Sequence, residues 1–156
     1  MKNLALLGFT AGENRYSYPE VTADKAEQFF LALRDIAEYT VVDCTCDEND
    51  IISGAAKREC DRALLLLAPD IKSTVNYTSC INRFLVIKEK KITVVNNNVG
   101  IFASAPETGR VTGDEKIYKL PYTLELVKQA VTGKLTERLF DRSYRNEMSK
   151  IVRAVL

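Results

Sequence analysis

The sequence predicts an α/β fold in which a parallel sheet of about five strands is flanked by helices, in three α/β/α layers. Short apolar runs alternate with segments of helical periodicity along the chain. The run Ala63–Ala68, ALLLLA, is apolar on both faces, as a central strand of a parallel sheet must be. The chain has 156 residues, an ordinary size for one domain, and we predict a single domain over residues 1–156.

The predicted strands are the apolar runs, and most of them end in a polar loop. We place them at Leu4–Phe9, Thr40–Cys44, Ala63–Ala68, Ile92–Val95 and Lys116–Leu120.

The predicted helices fill the segments between and after these strands. The first has Ala26, Phe29, Phe30, Leu33 and Ile36 on one face, and Thr22 can cap it. We place the helices at Thr22–Tyr39, Ile52–Cys60, from Ser73 or Thr74 to Lys88, Thr123–Thr132, and Thr136–Val155. Gly133 stops the fourth helix.

Composition excludes several classes of protein. A hydrophobic fraction of 46% and a net charge of +1 are typical of a soluble globular domain and give no general attraction to nucleic acid or anionic membrane. No apolar run approaches the roughly 20 residues of a membrane span, and no signal peptide is recognisable. We therefore expect a cytoplasmic protein with no membrane span. The cysteines fit neither a zinc site nor a disulfide framework, and histidine is absent, so we interpret them as free thiols.

The opening stretch LALLGFTAGENR, residues 4–15, has the outline of a phosphate-binding loop but not its chemistry. A P-loop needs two glycines flanking four residues, followed by lysine and a hydroxyl residue. Here Gly8 and Gly12 flank three residues, and Glu13 occupies the place of the lysine. A carboxylate repels phosphate, so this stretch is not a P-loop.

Candidate ligand residues lie where the predicted strands end, because open parallel sheets bind ligands at the carboxyl ends of their strands. Asp43 follows TVV at such an end, where an aspartate can hold the water shell of Mg²⁺, although many α/β domains place acids there without function. The acidic run that follows (Asp47, Glu48, Asp50) is either a loose cation site or a solvated loop, and we favour the loop.

The asparagines of VVNNN, residues 94–98, follow the fourth predicted strand. Their amides both donate and accept hydrogen bonds, as reading the edge of a base requires. The alternative is an asparagine-rich turn, because asparagine tolerates left-handed backbone conformations.

Five segments in order resemble one protein family, over nearly the whole chain from Lys2 onward. The C-terminal portion of the MinD/ParA family, the deviant-Walker-A P-loop ATPases of the SIMIBI class, is similar to NLALLGFT, YTVVDC, CDRALLLLAPDIKS, ITVVNNN and KLPYTLELVKQAVTGK. The resemblance implies a P-loop NTPase-like fold with ATP and Mg²⁺ as cofactors. It also implies that Asp43 is the Walker B acid and metal ligand, that Asn96 contacts adenine, and that Pro121 and Tyr122 form the wall beside the base.

The chain departs from the family at its start. The family's KGGxGKT loop would lie before residue 1, and no residue here matches its phosphate-binding lysines. We therefore expect weak or absent ATP binding and no hydrolysis by this chain alone. Whether the chain is a natural short protein or a fragment of a longer product stays open.

The resemblance also implies partners. Its members position septa, segregate plasmids or localise pilus and conjugation machinery, so protein partners of a localisation or secretion machinery are expected. Without the central P-loop strand, unpaired strand edges predict a homodimer, and a rearranged, self-contained sheet is the alternative. The alternative function is a receiver-like or flavodoxin-like α/β binding or scaffolding module without enzymatic activity.

The last predicted helix is amphipathic and basic. Such a helix can anchor a protein to a membrane or contact DNA. Its apolar stripe runs the whole length without tryptophan, so we favour a helix that packs on the sheet, and we expect no specific nucleic acid partner.

Overall fold

A computed structural model describes residues 4–47, 49–97, 111–114 and 116–156. The chain divides into two compact units, Met1–Glu59 and Cys60–Leu156, and each is described by itself below. The strands of the described residues all belong to the second unit.

The C-terminal unit is built on a parallel sheet. Strands β1 (Ala63–Leu67), β2 (Lys91–Asn96) and β3 (Ile117–Leu120) lie in the order β1-β2-β3. Val94 pairs with Leu66 on one side and with Tyr118 on the other. The central strand β2 is rich in β-branched residues, which suit a pleated, packed surface. The predicted α/β class with a parallel sheet is therefore confirmed, and the described residues contain three of the roughly five strands.

Five α-helices and two 3₁₀ segments have both ends within the described residues, which also include the helical residues 111 and 112. They are the 3₁₀ turn Arg15–Ser17, α1 (Ala23–Ile36), α2 (Ile51–Glu59), α3 (Ile71–Ser79), the 3₁₀ helix Ile81–Lys90, α4 (Leu124–Val131) and α5 (Arg142–Val155).

Side-chain caps and one glycine determine where several helices begin and end. Thr22 accepts a hydrogen bond from the backbone N–H of Lys25, as predicted for the start of α1. The prediction that Ser73 or Thr74 begins the next helix is wrong by two or three residues, because Asp70 is the cap. Gly133 has φ +68 just after α4, a conformation that glycine adopts without strain.

The last helix is shorter than predicted. The predicted helix began at Thr136, but residues 136–141 are not helical, and α5 begins only after its cap Asp141. The carboxylate of Glu125 accepts hydrogen bonds from the backbone N–H groups of Phe140 (2.8 Å) and Asp141 (2.9 Å). These bonds hold the preceding segment against α4, so helical periodicity alone extended the prediction too far.

Helix α5 covers one face of the sheet, as predicted for a packing helix. Tyr144 and Ile151 of α5 are buried against Val94, Tyr118 and Leu120. On the other face, Leu65, Leu67 and Tyr77 form a separate cluster with Phe84 and Val111 packed against it. Because side chains alternate along a strand, β1 buries Leu65 and Leu67 while Leu64 and Leu66 are 46% and 62% exposed.

The N-terminal unit contains no strand in its described part, and two strand predictions are wrong. Leu4–Phe9 and Thr40–Cys44 are irregular, and Leu6 and Val41 are 90% and 95% exposed. An apolar run forms a strand only when a neighbouring strand satisfies its backbone, and the structure gives these runs no such neighbour. The five-stranded, three-layer P-loop arrangement is therefore not confirmed.

The N-terminal unit is held together by two helices. Ala26 and Phe30 of α1 pack against Ala55 and Ala56 of α2, and all four side chains are buried. The small alanines let the two helices approach closely. Part of the predicted apolar face of α1 is used in this way, whereas Ile36 at its end is 79% exposed.

Candidate functional site

A cavity of about 650 Å³ includes the carboxyl ends of the three strands. Pro69 follows β1, Asn97 follows β2 and Pro121 follows β3, and all three residues line this cavity. Its volume lies within the roughly 300–1,000 Å³ of small-molecule sites. The carboxyl edge is also where open parallel sheets hold their ligands.

Backbone geometry explains why these residues meet. The N–H of Asn97 donates to the carbonyl of Leu120 at 2.9 Å, which extends the pairing of β2 with β3 by one residue. Pro121 has no N–H to donate, so the ladder ends there. The two prolines and the asparagine therefore stand at the places where the strands stop.

The rest of the cavity wall is polar and carries charge. Lys116 directly precedes β3 and Lys119 lies within it, and both are exposed. Helix α5 contributes Ser143, Glu147 and Lys150. Lys150 donates to the Glu147 carboxylate at 2.6 Å, so these two charges largely neutralise each other. The cavity thus combines flat apolar residues at the strand ends with a cationic strand edge.

The structure brings together only part of the predicted base site. Pro121 lines the cavity, whereas Asn96 and Tyr122 are not among its lining residues. Asn97, the second of the three candidate asparagines of VVNNN, lines it instead. Asn96 is the last residue of β2 and Asn97 is the first residue after it, so the point at which β2 ends selects the asparagine that lines the cavity. The third asparagine of the run lies outside the described residues.

Asp43 lies in the N-terminal unit, on an exposed irregular segment rather than at a strand end. No group of three or more histidine, cysteine or acidic residues in the described part of the chain is arranged to hold a metal ion. The assignment of Asp43 as a metal ligand stays a prediction that follows from the resemblance.

The acidic loop after Asp43 forms caps and turns. Asp50 accepts hydrogen bonds from the backbone N–H groups of Ile52 and Ser53, and from the hydroxyls of Ser53 and Thr45. Partial burial alone would raise the pKa of Asp50, but the bonds from Ser53, Thr45 and Ile52 outweigh it and lower that pKa. The carboxylate is therefore occupied in starting α2, as the favoured loop interpretation expects. Glu48 of the same run lies outside the described residues.

Comparison with models of known protein families, with curated proteins and with solved structures finds no match. Within the described residues, no helix is both long and apolar enough to cross a bilayer.

Proposed function

We propose that this chain is a MinD/ParA-like module that binds the base of an adenine nucleotide at the carboxyl edge of its sheet, without hydrolysing it. The observation that carries the proposal is the convergence of Pro69, Asn97 and Pro121 on one cavity of about 650 Å³. The order of the sequence segments that resemble the family supports the same proposal.

The cavity residues match the chemistry of a purine. A carboxamide such as that of Asn97 offers a donor and an acceptor side by side, the pattern that one edge of adenine complements. The proline rings present flat apolar surfaces on which a base can lie. Lys116 and Lys119 of the lining are exposed to solvent, which screens their charges, so binding rests mainly on the base. We expect its affinity to be low, in the millimolar range or about −4 kcal/mol.

Hydrolysis is not part of the proposed function. Phosphoryl transfer depends on preorganised positive charge around the phosphates, which the family supplies through the lysines of its glycine-rich loop. No glycine-rich loop of these 156 residues carries such a lysine. The proposed role in a localisation or secretion machinery is therefore binding and assembly rather than turnover.

A homodimer through β1 belongs to the proposal. The outer edge of β1 pairs with no other strand of the described residues. Leu64 and Leu66, which belong to β1, are 46% and 62% exposed. An apolar, unpaired edge favours pairing with another chain. A second copy would cover both the edge and these leucines.

Titration calorimetry with adenosine, ATP and guanosine tests the base site. We expect adenosine and ATP to bind with similar millimolar affinity and guanosine more weakly. Asn97→Ala should weaken adenosine and ATP equally, about fivefold or more, as loss of a hydrogen bond of ~1 kcal/mol predicts. The matched control is Asn146→Ala, an exposed asparagine of α5 outside the cavity lining, which should bind like the parent.

Three outcomes contradict the proposal. A strong preference for ATP over adenosine that Asn97→Ala leaves unchanged means that the phosphates, not the base, are recognised. Mg²⁺-dependent ATP turnover abolished by Asp43→Ala refutes the non-hydrolytic function. Absence of any adenosine binding, with Asn97→Ala and the parent equally folded by circular dichroism, favours a scaffolding module instead.

A further inference from the structure

A second cavity, of about 320 Å³, lies at the amino edge of the sheet, opposite the strand ends of the proposed base site. Each strand contributes a cationic residue just before it begins: Arg62 before β1, Lys90 before β2 and Lys116 before β3. In a parallel sheet all strands start at the same edge, so the register collects the three charges around one cavity.

Contacts within the C-terminal unit hold these cations in place. The ammonium of Lys90 donates to the carbonyl of Cys60 at 2.7 Å, and the Arg62 guanidinium donates to the carbonyl of Asp61 at 3.1 Å. The ammonium of Lys116 lies 4.9 Å from the centre of the Tyr118 ring. The carbonyl beside Arg62 and the ring beside Lys116 orient these two cations without cancelling their charge.

The cavity carries an excess of positive charge. As far as the structure describes the chain, neither Arg62 nor Lys116 has a carboxylate within ion-pair distance. The fourth cationic residue of the lining, Lys91, is already paired with Asp114, and Glu89 is the one acidic residue of the lining. Clustered like charges repel one another, and a bound anion relieves that repulsion.

We infer that this cavity binds a small phosphate-class anion, inorganic phosphate or pyrophosphate. Its volume is about ten times the roughly 30 Å³ that a water molecule occupies in the liquid, so it admits such an anion with part of its hydration shell. A fork of guanidinium donors and two ammonium groups is the donor set that phosphate oxygens prefer. The two cavities share Lys116 and Tyr118, whereas Arg62 and Lys90 line only this one, so the inference does not depend on the proposed base site.

Calorimetric titration of the full chain with phosphate and with pyrophosphate, at low ionic strength, tests the inference. Arg62→Gln is the decisive variant, because Arg62 lines this cavity and not the other one. Removing one charge at about 4 Å should weaken pyrophosphate binding about fivefold or more, the equivalent of ~1 kcal/mol. Lys116→Gln should weaken it comparably. The matched control is Arg145→Gln, an exposed arginine of α5 outside both linings, which should bind within twofold of the parent.

The two sources of the anion are distinguished by their relative affinities. Pyrophosphate binding at least tenfold tighter than phosphate assigns the cavity to diphosphate groups, whereas equal affinity assigns it to single phosphates. Circular dichroism of each variant checks that the fold is retained. If Arg62→Gln unfolds, Lys116→Gln is compared with Lys119→Gln, which lines only the other cavity and should leave pyrophosphate binding unchanged.

Three results overturn the inference. The first is absence of binding by either anion in the folded parent. In the second, Arg145→Gln loses as much affinity as Arg62→Gln, which indicates diffuse attraction. In the third, a short oligonucleotide binds more tightly than pyrophosphate and depends on Arg62, with a steep dependence on salt, which indicates a nucleic acid surface instead.

Discussion

Removing the charge of Asp114 should destabilise the C-terminal unit strongly. The ammonium of Lys91 lies 3.0 Å from the Asp114 carboxylate, with side-chain exposures of 7% and 24%. The Thr93 hydroxyl donates to the same carboxylate, and Lys91 also contacts the hydroxyl of Tyr77 at 3.3 Å. Asp114→Asn keeps the shape of the side chain but leaves a nearly buried ammonium without its counter-charge.

The magnitude follows from the geometry. Two unit charges 3.0 Å apart attract by about 5–6 kcal/mol at an effective dielectric constant near 20. Part of this attraction is recovered, because Asp114 is a quarter exposed and Tyr77 remains a partner of Lys91. We therefore expect Asp114→Asn to lower the free energy of unfolding by about 2–4 kcal/mol, close to the usual cost of breaking a buried ion pair.

Urea denaturation followed by circular dichroism measures this effect. The matched control is Glu137→Gln, which breaks the exposed pair with Lys134 at 3.3 Å and should cost less than about 0.5 kcal/mol. Adding Lys91→Met to Asp114→Asn removes the stranded charge and should restore most of the lost stability. The reasoning is refuted if Asp114→Asn costs no more than Glu137→Gln, or if the double variant is less stable than the single one.

Three further perturbations probe a cap, a turn and the proposed dimer. Asp50→Ala should cost about 1 kcal/mol near neutral pH. Because folding lowers the pKa of Asp50, its contribution is present above the unfolded value of about 3.9 and lost as pH falls through the folded value, so parent and variant should converge in acid urea titrations. Gly133→Ala should cost about 1–2 kcal/mol in thermal or urea unfolding, since its φ of +68 strains any Cβ, whereas Gly8→Ala should be neutral. Light scattering across a dilution series should show a parent dimer and a Leu66→Lys monomer; a monomeric parent at every concentration contradicts the dimer.

Leu65 and Leu66 show what periodicity leaves open. Both belong to the apolar run ALLLLA, which predicted a strand buried on both faces. In the structure Leu65 is buried and Leu66 is 62% exposed, because β1 is an edge strand and α5 packs over β2 and β3. A charged residue at Leu65 would therefore test the core, and only Leu66 tests an interface.

The sequence by itself determined the elements whose signals are local. The apolar runs of β1, β2 and β3, the cap of α1 at Thr22 and the stop of α4 at Gly133 depend on residues that are close together in the chain. The predicted position of a ligand site at the carboxyl ends of the strands also depended only on the parallel α/β pattern, and Pro121 lies there.

Tertiary structure decided the features that need a distant partner. Leu4–Phe9 and Thr40–Cys44 have the composition of strands but no neighbouring strand, and composition cannot supply one. The choice of Asn97 over Asn96 as a cavity residue depended on where β2 ends. Likewise, Arg62, Lys90 and Lys116 are far apart in the sequence, and only the parallel register brings their charges around one cavity.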